Sequence, residues 1–177
     1  GPSTALLVSA INDLYKQNNA PLKGLVLDLR NNPGGLINAS IGISGAFLPA
    51  NSLVTYTSGR MDGTKREYKS VAAEYFNPEE RSKDALAGLN PAAKTVPLVV
   101  LINGGSASAS EIVSGALQDY GRAVILGTKS FGKGSVQTTF PVGDGKTALT
   151  ITIAKYFTPK GNSIQAKGIT PDIEVEE

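Results

Sequence analysis

Two stretches of the chain share one pattern: an unbroken apolar run, a polar break rich in glycine, and then apolar positions at helical spacing. In the first, residues 24–29 (G-L-V-L-D-L) are followed by Arg30-Asn31-Asn32-Pro33-Gly34-Gly35, and a helical stretch covers residues 36–47. In the second, Leu98-Val99-Val100-Leu101-Ile102 leads to Asn103-Gly104-Gly105, and a helical pattern begins at Ala109. Each predicts a buried strand, a sharp glycine turn and a helix. Residues 4–17 carry Leu7, Ala10, Ile11, Leu14 and Tyr15 at amphipathic spacing, a core-packing helix capped by Ser3 or Thr4. Further strands are expected at residues 53–57 and at Ala123-Val124-Ile125-Leu126. A hairpin is expected from residues 136–140, the Gly143-Asp144-Gly145 turn and residues 148–157. In its second arm Leu149, Ile151 and Ile153 alternate with Thr150, Thr152 and Ala154, which predicts one buried face. Residues 59–94 are charged, punctuated by glycine and proline and poorly periodic, with Tyr68 and Tyr75-Phe76 as large anchors.

A small polar residue at a strand-to-helix corner is rigidly held, and the free N–H groups of the first helical turn favour negative charge. Acyl transfer needs both features. Ser108 occupies that corner; the alternative is that it only caps the helix, since Ser108 and Glu111 spell the S-x-x-E capping box. The 177 residues include no His and no Cys, which excludes a Ser-His-Asp triad and a cysteine nucleophile. A nucleophilic Ser108 therefore needs a lysine or a carboxylate as base. Lys133 stands in the glycine-flanked segment after the next strand, and a strand following a helix that folds back returns the chain to the layer it left, toward the start of that helix. If residues 133–137 are extended, Lys133 and Gln137 share a face. Burial against Phe131 and Val136 would lower the lysine toward the neutral form that a base requires, from about 10.4.

N-G-G-S-A-S-A-S-E-I followed by G-T-K-S-F-G-K-G-S-V-Q resembles the active-site signature of the carboxyl-terminal processing (tail-specific) peptidases, which are Ser/Lys hydrolases. The resemblance implies Ser108 as nucleophile, Lys133 as general base, Gln137 as the group orienting that lysine, and Asp119 as a supporting position. D-L-R-N-N-P-G-G resembles the same family, implying oxyanion-hole donors at Gly34 or Gly35 and at Ala109. Glycine is physically apt there, because a side chain would keep the substrate carbonyl away. The tail G-N-S-I-Q-A-K-G-I-T-P-D-I-E-V also matches, so residues 59–95 are where the chain departs most and are expected to be an insertion. An α/β fold of the ClpP/crotonase-like kind follows from the resemblance, with stacked β-sheets and helices around a Ser/Lys cleft. Protein substrates with unstructured carboxyl-terminal tails and an extracytoplasmic, for instance periplasmic, location are implied with it. Family members carry a PDZ domain before the core; none is expected in this sequence, and Gly1-Pro2-Ser3 reads as a cloning scar.

Composition narrows the alternatives. A hydrophobic share of 41% with 18% charged residues fits one globular domain with an ample core. Net charge is +2, too small to imply nucleic acid or an anionic membrane as partner. No apolar run approaches the roughly 20 residues of a spanning helix, and no basic-then-apolar signal segment is expected at this amino terminus. Gly127 to Lys133 fits G-x-x-x-x-G-K, but Gly134 stands where a P-loop needs Ser or Thr, and a strand-like run follows instead of a helix. Without His or Cys only carboxylate metal sites remain, no EF-hand spacing occurs, and no cofactor is expected. A catalytically silent tail-binding module of the same fold is the other alternative, and homo-oligomerisation stays open.

Overall fold

The computed structural model describes residues 2–60, 63–78, 83–143 and 146–176. Asp144 and Gly145 of the expected hairpin turn lie outside the described residues. The elements in chain order are α1 (Ser3–Asn18), β1 (Leu25–Asp28), α2 (Ile37–Phe47), β2 (Leu53–Ser58), β3 (Arg66–Lys69) and α3 (Ala72–Tyr75). After a 3-10 turn at Pro91–Lys94 come β4 (Leu98–Ile102), α4 (Ala109–Asp119), β5 (Val124–Gly127), β6 (Ser135–Val142), β7 (Thr147–Phe157) and β8 (Ile173–Glu174). Both strand, turn, helix units expected from the apolar runs are present.

Four parallel-paired strands form one sheet in the order β1-β4-β5-β8, and the second sheet is antiparallel in the order β3-β2-β7-β6. The return predicted after α4 is realised directly, because β5 lies beside β4 with Val100 opposite Ile125. β4 alternates strictly: Leu98, Val100 and Ile102 are buried, while Val99 and Leu101 are half-buried on the other face. The buried set packs with Ile41 and Phe47 of α2 and with Ile112, Ala116 and Leu117 of α4. α4 touches both β5 and β2, so the α2/α4 pair lies between the two sheets. Two cations close the carboxyl end of α2, where the helix dipole is negative. Lys94 Nζ donates to the carbonyls of Gly45 and Leu48, and Arg122 Nε donates to that of Phe47 at 3.0 Å.

Two expectations need correction. Leu149 and Ile151 are not buried: they are 52% and 44% exposed. β7 pairs with β2 only at residues 155–157, so its earlier part is held by β6 alone and extends beyond the layer that would cover it. Within the poorly periodic region, β3 pairs with β2 and Tyr75 enters the core, whereas Phe76 is 46% exposed and anchors nothing.

Candidate active site

The two Gly-Gly turns leave adjacent parallel strands at the same sheet edge and interlock. A β-carbon at Gly34 would lie 2.6 Å from the Ala107 carbonyl oxygen and 2.7 Å from the Ala109 nitrogen; one at Gly105 would lie 2.7 Å from Asn31 Oδ1. Gly34 also has φ +94°, which side-chain-bearing residues avoid. Asn103 ties the turns together, accepting from the Asn31 N–H at 2.9 Å and the Gly105 N–H at 3.0 Å. At the end of β1, Arg30 forks onto Asp28 with Nε–Oδ1 at 3.0 Å and Nη2–Oδ2 at 2.8 Å. Those hydrogen bonds hold the Asp28 carboxyl below the usual carboxylate range.

The three serines of S-A-S-A-S are sorted by this interlock. Ser106 is fully buried and bridges the Asn103 N–H (3.0 Å) to the Leu29 carbonyl (2.6 Å). Ser110 donates to the Asn32 carbonyl at 3.0 Å. Ser108, half-buried at the start of α4, has φ 56° and ψ −116°. The capping box is formed, so the simple capping role is real, but an ordinary N-cap residue has β-region dihedrals. A non-glycine residue held at positive φ costs roughly 1–3 kcal/mol and persists only where its surroundings over-determine it.

Glu111 supplies much of that determination, well beyond the capping role that S-x-x-E predicts. Its side chain is fully buried. One carboxylate oxygen accepts from the Ser130 hydroxyl and the Gly132 N–H, each at 2.6 Å; the other accepts from the N–H groups of Ser108 and Lys133, each at 2.8 Å. The Ser108 and Lys133 backbone nitrogens are therefore at most twice 2.8 Å apart. Phe131 N–H donates to the Ser106 carbonyl, Gly134 N–H to Gln165 Oε1, and Ser130 Oγ accepts from Ile169 N–H. The lysine segment is thus clamped between the elbow and the tail around residues 164–169. A detectable signal existed: Glu111 is the sole charge in the first ten residues of α4.

The other expected residues fall as follows. Ala109 is buried at the first position of α4; Gly34 and Gly35 lie in the facing turn, and the Gly34 N–H is taken by Asn32 Oδ1 at 3.0 Å. Lys133 and Gln137 are both exposed, and β6 starts only at Ser135, so no unbroken strand places them on one face. The apolar wall expected around Lys133 is not formed: Phe131 is 69% exposed. The reason is that the backbone N–H groups of 131–133 turn inward, which sends those side chains outward. Asp119 is not brought to the elbow; it ends α4, about 16 Å of helix away, and accepts from the Lys160 N–H at 2.8 Å. Among the described residues no cluster of three or more metal-ligating side chains occurs, and no helix is long and apolar enough to cross a membrane.

Comparison with known proteins points to one group. The chain is 48% identical over 174 residues to a carboxy-terminal-processing protease of Bartonella bacilliformis, covering 97% of this chain and 35% of that protein. A carboxyl-terminal-processing protease of Synechocystis sp. is 45% identical over 164 residues, covering 93% and 34%. Among solved structures, the photosystem II D1 C-terminal processing protease superposes with a TM-score of 0.77 at 34% identity, over 98% of this chain and 39% of that one. The chain spans about a third of the length of these curated relatives. The model of peptidase family S41 matches residues 2–175, and the chain belongs to that family.

Proposed function

We propose that this chain is the catalytic core of a serine endopeptidase that uses a Ser108/Lys133 pair to cleave polypeptides near their carboxyl terminus. The observation that carries the proposal is the strained, positive-φ Ser108 at the mouth of a strand-to-helix turn, pressed against Gly34. Membership in a peptidase family supports it, as does the Glu111 carboxylate that binds the Ser108 and Lys133 backbones through one oxygen.

In this mechanism Ser108 Oγ bonds to the scissile carbonyl carbon while Lys133 Nζ takes the hydroxyl proton. The oxyanion is held by the N–H groups of Gly35 and Ala109, the Gly34 N–H being engaged within its own turn. Collapse breaks the C–N bond, Lys133 returns the proton to the leaving amine, and water then hydrolyses the acyl-enzyme. A lysine accepts a proton only as the neutral amine.

A fluorophosphonate reporter tests the nucleophile directly. Wild-type protein should gain one adduct, mapped to Ser108 by peptide mass analysis; Ser108→Ala should gain none, and Lys133→Ala should react far more slowly. Labelling of Ser108→Ala at the wild-type rate refutes the assignment.

A further inference from the structure

Beside the elbow lies a pocket of about 270 Å³ in the groove between the first turns of α2 and α4. Its aliphatic lining comes from Leu29 just after β1, from Leu36 at the N-cap of α2 and Ala39 and Ile43 within that helix, and from Val113 on α4. Gly34, Gly35 and Ala109 also border it, so it opens where the oxyanion donors stand.

The hydroxyls of its two helical serines and the side-chain oxygen of Asn32 are already engaged. Ser40 Oγ donates to the Ile37 carbonyl at 2.6 Å, Ser110 Oγ to the Asn32 carbonyl, and Asn32 Oδ1 accepts from Gly34. Ser3 is exposed to solvent, and none of the residues around the pocket is charged. A charged side chain entering the groove would lose water without gaining a charged partner.

We infer that this pocket receives the side chain of the residue whose carbonyl Ser108 attacks, and that Ala39, Ile43 and Val113 select an uncharged apolar side chain as large as Leu, Met or Phe. The inference deepens the peptidase proposal and rests on its attack geometry. A carbonyl held at the Gly35 and Ala109 N–H groups carries its own side chain into the adjoining groove. Size sets the upper bound: a dry aliphatic cavity of about 150 Å³ already admits benzene, so 270 Å³ takes a phenyl group.

Two measurements separate this inference from the nucleophile assignment. Methyl-resolved NMR of the intact chain during titration with N-acetyl-leucine methylamide should shift the Ile43 and Val113 methyls saturably. The phenylalanine analogue should do the same, and the lysine and aspartate analogues should not. Ala39→Leu, which fills the groove from a half-buried position, should abolish the leucine response, and Ile43→Ala should favour phenylalanine over leucine. Equal shifts with leucine and lysine amides, or none up to the solubility limit, overturn the pocket assignment whatever Ser108 does. In the second arm, the chain is treated with peptidyl diphenyl phosphonates differing only in the side chain next to phosphorus. The leucine reagent should label Ser108 about 100-fold faster than the lysine reagent. Equal rates with Ser108 labelled refute the pocket and spare the nucleophile; methyl shifts without any labelling refute the nucleophile and spare the pocket.

Discussion

Replacing Glu111 by glutamine removes little volume but undoes the junction between the elbow and the lysine segment. The carboxylate accepts four hydrogen bonds, two on each oxygen, from Ser130, Gly132, Ser108 and Lys133. An amide presents one acceptor oxygen and turns two donors toward groups that are themselves donors. Two charge-assisted bonds are lost at roughly 1.5–3 kcal/mol each, and the side chain is fully buried, so water cannot replace them. Relief of the buried charge offsets part of this, leaving a net loss of about 2 to 5 kcal/mol. Against a typical 5–15 kcal/mol for a domain, the variant stays largely folded but is strongly weakened. Urea titration should show the midpoint falling by the corresponding amount at unchanged slope. Limited trypsinolysis should give new cleavage after Lys129 and Lys133, which flank the released loop. The exposed control Glu174→Gln should move the midpoint by no more than about 0.5 kcal/mol. A Glu111→Gln loss below about 1 kcal/mol with an unchanged tryptic pattern would refute the clamp.

Further expectations concern the same corner and one buried tyrosine. Ser108→Gly should remove adduct formation yet raise thermal stability by about 1 kcal/mol, because glycine relaxes at φ 56°; an equal or lower melting temperature contradicts the strain. Gly34→Ala should cost several kcal/mol, roughly the scale of overpacking plus backbone strain. Gly35→Ala, whose β-carbon meets nothing within 4 Å, should leave stability unchanged and slow phosphonate labelling; equal melting temperatures for the two contradict the interlock. Tyr75 donates its hydroxyl to Asp84 at 2.7 Å, and burial is the main cause raising its ionisation well above the ordinary value of about 10. The folded state therefore holds this proton more tightly than the unfolded chain. Its contribution is complete below about pH 10 and declines as pH rises further, so the wild-type minus Tyr75→Phe stability difference should shrink from pH 9 to 12. A constant difference would count against it.

What the sequence made legible follows the range of the interactions involved. The β4 strand, its glycine break and α4 were readable because Leu98 to Ile102 is apolar without interruption and the break is a local turn signal. The unusual backbone of Ser108 was not visible in its motif, since S-x-x-E is the same string whether φ is negative or +56°. Glu111 was under-read for a physical reason: its cap partner is three residues away, but its other donors lie 19 to 22 residues on, where no periodicity reaches. The alternation of Leu149 and Ile151 correctly announced a strand with two unlike faces. It could not say whether any layer covers the apolar one, because that depends on β7 outrunning β2. Phe131 misled similarly: an apolar residue beside Lys133 suggested a wall, whereas the inward-turned backbone decides where it points.

Strand order explains why these residues meet. β1, β4 and β5 run parallel and adjacent, so the chain leaves all three at the same sheet edge. β1 delivers the turn holding Gly34 and Gly35, β4 delivers the elbow at Ser108, and β5 delivers the segment ending at Lys133. Ligands of open α/β sheets gather at this carboxyl edge for that reason. Because β4 lies between β1 and β5, its turn meets the turns of both: the β1 turn contacts it through Gly34 and Asn31, the β5 segment through Glu111. α4 then starts at that corner beside α2, adding the partial positive charge of its first turn. A nucleophile needs oxyanion donors on one flank and a base on the other. In this topology the β4 corner lies between the turn holding the proposed donors and the segment holding the proposed base.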